Sequence, residues 1–518
     1  MTSPLQRVRS FVSALSHVRS LYRRMAVLED PAEGIRRRMV RRGEGFLETI
    51  ERAIFAHRES PYRPLMEAAH VDLRQIASWV REEGLEATLR RLSEAGVYVS
   101  IEEFKGNVEA RRGGRTFRFR PRDFDNPLVT EGLSAMSGGT RSEGIPTRIP
   151  LRDHNVSVAH LAVALGAYGL LGRPMAVWLT RRHAASLWAA TSLSVLSRRP
   201  VRWFTVAPTD RDRFYRLLGL ALRPSRITLP TETYVPFGRE ALILEWTRQS
   251  ETRAGCGIFT MPSMALRLAL RAAERGIDLG HVTFITVGEP LTPAKHAAVR
   301  AVGARAFSSL GFTEFGRATY GCAAPASPDD THVCRDTAAV IQRRRSVDAL
   351  GASVDALLFT TLWPHARKIL LNVESGDYAR MGARPCGCPL ERLGWTDHLQ
   401  EIRSFEKLNA EGRLFFGSEL YALLEETLPG RFGGEATDYQ LVEEEDHEGF
   451  TRLTVLAHPR LGPLDEEAVL DTVYTLLAGI KPRDAKVWRE AGTLRLRRAP
   501  PLLTPAGKFM PLHHLKMA

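Results

Sequence analysis

In this 518-residue chain, the stretch richest in groups that could meet a phosphate is 131–146, EGLSAMSGGTRSEGIP. A loop that holds phosphate needs backbone N–H groups that can approach the anion closely, which glycines allow. It also needs hydroxyl or guanidinium donors for the remaining oxygens. Ser137, Gly138, Gly139, Thr140, Arg141 and Ser142 supply both kinds. No lysine follows the glycines, so this is not the phosphate loop that ends in Gly-Lys-Ser/Thr. From this loop alone, a phosphate cradle and an ordinary Gly/Ser linker fit equally well.

A second constellation is built from thiols. Four of the five cysteines, Cys322, Cys334, Cys386 and Cys388, fall in one stretch with His332 among them. Cys386-Gly387-Cys388 is a tight turn able to present two thiolates to one metal. With Cys322 and His332 it makes a Cys3His set suited to structural Zn2+, and Cys334 is the alternative fourth ligand. Free cytosolic thiols are the competing account. Clustering of this kind favours the metal. Cys256 lies apart and reads as core.

These groups need a scaffold. Between 150 and 380 helical patterns alternate with short apolar runs at 174–179, 201–206, 227–229, 257–259, 282–287, 305–309 and 356–362. Such alternation predicts an α/β fold with mainly parallel sheets flanked by helices. Ligands then belong at the carboxyl ends of the strands. Beyond about 397 the texture changes to a small α+β domain. The expected divisions are a helical extension at 1–59, a large domain at 60–396 and a small domain at 397–518.

Four further segments sit where chemistry would. Gly288-Glu289-Pro290 ends one apolar run, and Leu310-Gly311-Phe312-Thr313-Glu314 follows another. Ser375-Gly376-Asp377 comes later, and Thr504-Pro505-Ala506-Gly507-Lys508 lies near the C-terminus. Singly, each is an ordinary turn or cap.

In this order and spacing, together with the Gly/Ser loop, they resemble the adenylate-forming superfamily, in its phenylacetate–CoA ligase-like branch, over roughly 60–518. The resemblance implies a large domain that binds ATP and a carboxylic acid, and a mobile small domain. It puts the ATP phosphates on 137–142, the adenine beside Gly288, Glu289 and Pro290, and the ribose hydroxyls on Asp377. Thr313 would contact phosphate, Glu314 would hold Mg2+, Gly311 and Phe312 would border the nucleotide, and Lys508 would drive adenylation. Asp397 matches the hinge. His160, Phe259, Met261 and Ser309 would wall the acid pocket, which suits an aromatic or medium aliphatic acid. Some members of this branch carry a zinc knuckle where the cysteines fall here. The acyl group would pass from acyl-AMP to CoA or a carrier protein; an amine or protein acceptor, or a catalytically silent zinc scaffold, are the alternatives. Three positions depart from the pattern. Leu310 replaces a tyrosine, Leu371-Asn372-Val373-Glu374 replaces an Arg-Tyr-Arg-like stretch, and Gly394-Trp395-Thr396-Asp397-His398 lacks the hinge arginine.

Composition sets outer bounds. Hydrophobic residues at 44% and charged residues at 25% are ordinary for a globular protein. The net charge of +13 attracts polyanions. No nucleic-acid-binding signature accompanies it, so the Arg36–Arg38 and Arg111–Arg115 clusters read as solvated faces. No apolar run is long enough for a membrane span. The arginine-interrupted N-terminus makes a poor secretory signal, so a cytoplasmic protein is expected. A homodimer stays open.

Overall fold

The computed structural model describes residues 12, 15–16, 19–20, 30–136, 145–179, 184–197, 201–206, 217, 220–221, 230–236, 238–250, 255–346, 353–405, 409–410, 413–414, 417–445, 451–480, 489, 494–504 and 507–515. The Gly/Ser loop residues Ser137, Gly138, Gly139, Thr140, Arg141 and Ser142 lie outside them.

The protein is α/β. Its first sheet has six parallel strands, in the spatial order Arg305–Ser309, Val282–Val287, Cys256–Thr260, Met175–Trp178, Arg202–Thr205 and Thr231–Tyr234. Met175–Trp178 and Cys256–Thr260 are buried along their whole length. A parallel strand with helices on both faces has no wet side, which is why these segments read as unbroken apolar runs. Helices Leu151–Ala167, Ala184–Ser197, Ala241–Gln249, Pro262–Glu274 and Pro293–Ala301 alternate with the strands in sequence. The chain order reverses between Met175–Trp178 and Cys256–Thr260, so the crevice for a ligand should open at their carboxyl ends. Thr260 Oγ1 donates to Trp178 O across this point at 2.9 Å.

The second sheet departs from the parallel expectation. Strands Thr319–Gly321, Thr331–Val333, Asp397–Ser404, Val373–Ala383, Ser353–Thr361 and Ala338–Ser346 form an antiparallel sheet. The apolar run at 356–362 resembles the parallel strands in sequence, and the fold explains why: Ala356 to Thr361 are all buried. An antiparallel strand covered on both faces loses its polar alternation. The cover comes from the N-terminal helices: Phe46, Ile50, Leu85, Leu89 and Leu92 share one core with Val340, Leu357 and Phe359.

The helices at 31–55 pack on both sheets. Helix Pro31–Val40, capped by Asp30, places Ile35 in the core of the parallel sheet, and Arg42–Ile50 packs on the antiparallel one. At Gly45 a Cβ would stand 2.6 Å from Leu362 O, so only glycine permits this approach.

The small domain has its own core, in which Leu420, Leu424, Tyr439, Leu453, Val455, Val469 and Val473 meet. Its sheet runs Leu494–Arg498, Thr451–Ala457, Tyr439–Glu445, Leu512–Leu515, with helix Glu466–Ile480 against it. Asp397–Ser404 belongs to the antiparallel sheet, and Phe405 to the core beneath it. The small domain's own core begins at Leu420. Among the described residues no helix is long and apolar enough to cross a membrane.

Candidate functional site

Register places the loops. Ser309 stands opposite Val287, so Gly288-Glu289-Pro290 and Leu310-Gly311-Phe312 leave neighbouring strands at the same height. The Glu289 carboxylate is buried. It accepts from Ser263 N–H at 3.0 Å and Ser263 Oγ at 2.9 Å, at the start of helix Pro262–Glu274. An anion is well placed there, because the first turn leaves N–H groups unpaired. Glu289 Oε1 also accepts from Phe509 N–H at 2.8 Å, more than 200 residues away. One carboxylate thus ties a strand end, a helix start and the C-terminal loop.

That loop presents Lys508. Leu503 bridges Phe509, Lys508 N–H donates to Thr504 Oγ1 at 3.0 Å, and Gly507 takes φ +74°. The lysine reaches across the domain boundary onto Gly288, where a Cβ would lie 3.2 Å from Lys508 Cε and 3.4 Å from Nζ. Gly288 itself has φ +82°. Sequence motifs 220 residues apart therefore converge at the carboxyl edge of the parallel sheet.

Thr313 and Glu314 form the tip of a hairpin whose arms pair Gly311 with Arg317 and Phe312 with Gly316. Phe312, Phe315 and Phe359 cluster beneath it. Arg367 braces the tip: Nη1 donates to Thr313 O at 3.2 Å, while Nε pairs with Asp153 Oδ2 at 2.7 Å. Glu314 is buried. Asp377 lies on the antiparallel sheet in register with Ser404, its N–H donating to Ser375 Oγ at 3.2 Å. Asp397 opens its strand and pairs with Arg335 at 3.0 Å. A pivot placed there would have to part that strand from Ala383.

The expected acid-pocket residues divide. Phe259 and Met261 sit at the chain-reversal crevice, and Met261 caps helix Pro262–Glu274. Ser309 Oγ donates to Thr286 O and accepts from Arg317 Nη1 at 3.2 Å. His160 is buried in a network: Nε2 lies 2.8 Å from Asp336 Oδ2, Arg38 Nε reaches the same oxygen at 2.9 Å, and Trp395 Nε1 donates to Asp336 Oδ1 at 3.1 Å. Burial alone would raise the Asp336 pKa; His160 and Arg38 outweigh it and hold it below the usual carboxylate range. A small cavity of about 20 Å³ is lined by Asp153, Ser157, His160, Phe315 and Arg317, among others. Arg38, Asp153, Arg317, Asp336 and Arg367 were not foreseen. Charged residues scattered in sequence read as surface, and only the fold gathers them.

The thiol set assembles as expected. Single donor atoms of Cys322, His332, Cys386 and Cys388 all lie within 4.8 Å of one another. His332 Nε2 is 3.2 Å from Cys388 Sγ and 3.6 Å from Cys386 Sγ. A tetrahedral zinc with bonds of about 2.0–2.3 Å would put its ligand atoms about 3.5–3.8 Å apart, so the residues fit the ion. His332 Nδ1 faces Trp395 O at 2.6 Å, which turns Nε2 toward the thiols. The Cys322 thiol and His332 draw the Cys388 pKa down, which favours the thiolate a metal needs. Cys334 stays outside this group; it is buried near Asp336 and Arg317, and burial pushes its thiol up.

The domains also meet at a buried ion pair. Lys295 Nζ lies 2.7 Å from Glu425 Oε1, and both side chains are 1% exposed. Thr292 Oγ1 donates to the same carboxylate, and the Tyr421 ring centroid is 5.2 Å from the ammonium. Removing one partner of such a pair costs about 3–5 kcal/mol, because the other charge is left buried and alone. Lys295→Met should therefore lower the urea midpoint markedly, and Lys295→Met/Glu425→Leu should recover most of the loss. Equal midpoints for the single and double variants would remove the pair from the account.

No protein-family model and no curated protein matches the chain. Solved structures do. A 2-hydroxyisobutyryl-CoA ligase, in complex with its acyl-AMP and CoA, aligns at 16% identity over 93% of this chain and 90% of its own, with a TM-score of 0.47. O-succinylbenzoate coenzyme A synthetase from Bacillus subtilis, with AMP, aligns at 14% over 65% and 61%, TM-score 0.38. An adenylation and carrier-protein structure with phenylalanyl-adenylate aligns at 11% over 84% and 75%, TM-score 0.42. Similarity this distant carries no argument about function.

Proposed function

We propose that this protein is an adenylate-forming enzyme, which joins a carboxylic acid to the AMP portion of ATP and then passes the acyl group to a thiol of CoA or a carrier protein. The observation that carries the reading is the meeting of Lys508 with Gly288, secured by the Phe509 N–H on Glu289. The contact brings a cation from the small domain to the ligand edge of the sheet, where a nucleotide reaction needs one.

In the reaction a carboxylate oxygen attacks the α-phosphorus, the bond from that phosphorus to the bridging oxygen breaks, and pyrophosphate leaves with its electron pair. Two anions must approach while negative charge builds, so fixed positive charge lowers the barrier. Lys508 would supply it from the small domain. The Gly/Ser loop at 137–142 would cradle the phosphates, Thr313 would donate to one of them, and Asp377 would accept from the ribose hydroxyls. Glu314 would hold Mg2+, which neutralises phosphate charge when bound. Cys322, His332, Cys386 and Cys388 would hold a structural Zn2+ with no open position.

Acid-dependent exchange of labelled pyrophosphate into ATP, run over a panel of carboxylic acids, tests the reading directly. Exchange with no acid, in folded and zinc-loaded protein that also fails to bind ATP, would end it. The turn at 288 gives a finer check. Gly288→Ala forces a left-handed backbone on a side chain, at about 1–3 kcal/mol, and pushes a methyl toward Lys508. Moving Lys508 off the reacting charge should lower exchange at least about tenfold, since each 1.4 kcal/mol of lost transition-state stabilisation is one place in rate. An unaltered rate would detach this contact from the chemistry.

A further inference from the structure

We propose that Arg317 selects the substrate, and that the acid activated here carries a second acidic group, which the Arg317 guanidinium holds. This rests on the adenylation reading and goes further by naming the class of acid. It also replaces the expectation of a plain aromatic or aliphatic one.

Arg317 closes the hairpin that carries Thr313 and Glu314, and lines the small cavity beside His160. A guanidinium has five N–H donors. Among the described residues, the groups that meet this one are the Ser309 hydroxyl at 3.2 Å, the Tyr320 hydroxyl and the face of Phe259, whose centroid is 5.5 Å away. All three are neutral. No carboxylate among the described residues forms an ion pair with it. Arg317 is half-buried, and this partial loss of water draws its pKa down.

The neighbouring charges are already matched. Asp153 is taken by Arg367, and Asp336 by Arg38 and His160. The cavity's walls carry Asp153 and Arg317; Asp153 is held by Arg367, so among the described residues Arg317 faces the cavity without a carboxylate of its own. An arginine in that state penalises a ligand that lays a hydrocarbon tail against it, and rewards one that presents two oxygens to its fork. The cavity beside the guanidinium, at about 20 Å³, leaves room for the terminal group of a ligand. The group held there is not the reacting carboxylate. A carboxylate locked in a two-pronged ion pair is a stabilised anion and a poor nucleophile. The activated carboxylate therefore stands elsewhere, and the second one anchors the far end.

The test compares acids matched in shape: butyrate with succinate, valerate with glutarate, benzoate with isophthalate. Pyrophosphate exchange gives kcat/KM for each, in the wild type and in Arg317→Gln. The wild type should favour one diacid over its monoacid partner by about 10- to 100-fold, the range of a charged hydrogen-bonded contact. Arg317→Gln should erase or invert that ratio, and Arg317→Lys should restore part of it. A wild-type preference for the monoacid in every pair, or a ratio untouched by Arg317→Gln, overturns the proposal while leaving adenylation standing. Calorimetric binding of the same diacids separates the two ideas. If no acid supports exchange, the adenylation reading falls. Diacid binding lost in a folded Arg317→Gln variant would then sustain the anion site, and absence of diacid binding to the wild type would overturn it.

Discussion

Lys508→Ala should lower acid-dependent pyrophosphate exchange by about 10²–10³-fold, the loss seen when one preorganised charge-stabilising group is removed from a developing oxyanion. Stability should change little, because the loop is held by backbone contacts. Those contacts, Phe509 N–H on Glu289 and Lys508 N–H on Thr504, do not involve the Lys508 side chain. Unchanged melting with collapsed exchange is thus the expected pair of results. Exchange that survives within a factor of a few would move the catalytic cation elsewhere. Lys508→Arg separates charge from shape. A planar fork cannot lie over Gly288 as an ammonium does, so it should rescue poorly.

The second large effect concerns the metal. Purified protein should contain one zinc per chain, and Cys388→Ser should lose it and melt a few degrees lower, as expected for a few kcal/mol of folding energy at roughly 1 °C per kcal/mol in a chain of this size. The ligands explain why. Cys322 follows strand Thr319–Gly321, His332 lies inside Thr331–Val333, and Cys386 and Cys388 come from a separate turn. Together they join the edge of the antiparallel sheet to the core of the parallel one, where Cys322, Cys388 and Trp395 are buried. Chelation should act like the mutation, whereas Cys334→Ser should leave the zinc in place. Protein that is metal-free as isolated and indifferent to chelators would refute this.

What could be read in the sequence was what depends on short-range pattern. The apolar runs of the parallel sheet, the turn at Gly288-Glu289-Pro290 and the Cys-x-Cys knuckle each announce themselves within a few residues. The antiparallel sheet did not, because Ser353–Thr361 is covered on both faces and shows no alternation. Nor did the role of residues 31–55. Helices Pro31–Val40 and Arg42–Ile50 carry many arginines, and nothing local reveals that Ile35 and Phe46 enter two different cores. Arg317 was the hardest to foresee. Its significance lies in which partners it lacks, and that is a property of the assembled fold.

The Lys295–Glu425 contact has a consequence for how the small domain can move. Both groups are sealed from water, so a slight separation weakens their attraction before the gap is wide enough to admit hydration. Energy rises steeply over the first ångströms and falls only when solvent floods in. Such a latch has no half-open position. The small domain should be found fully seated or fully released, with exchange between the two slow and abrupt. Release should come in steps timed by the breaking of one ion pair, and its pace should answer to that pair far more than to the length of the linker.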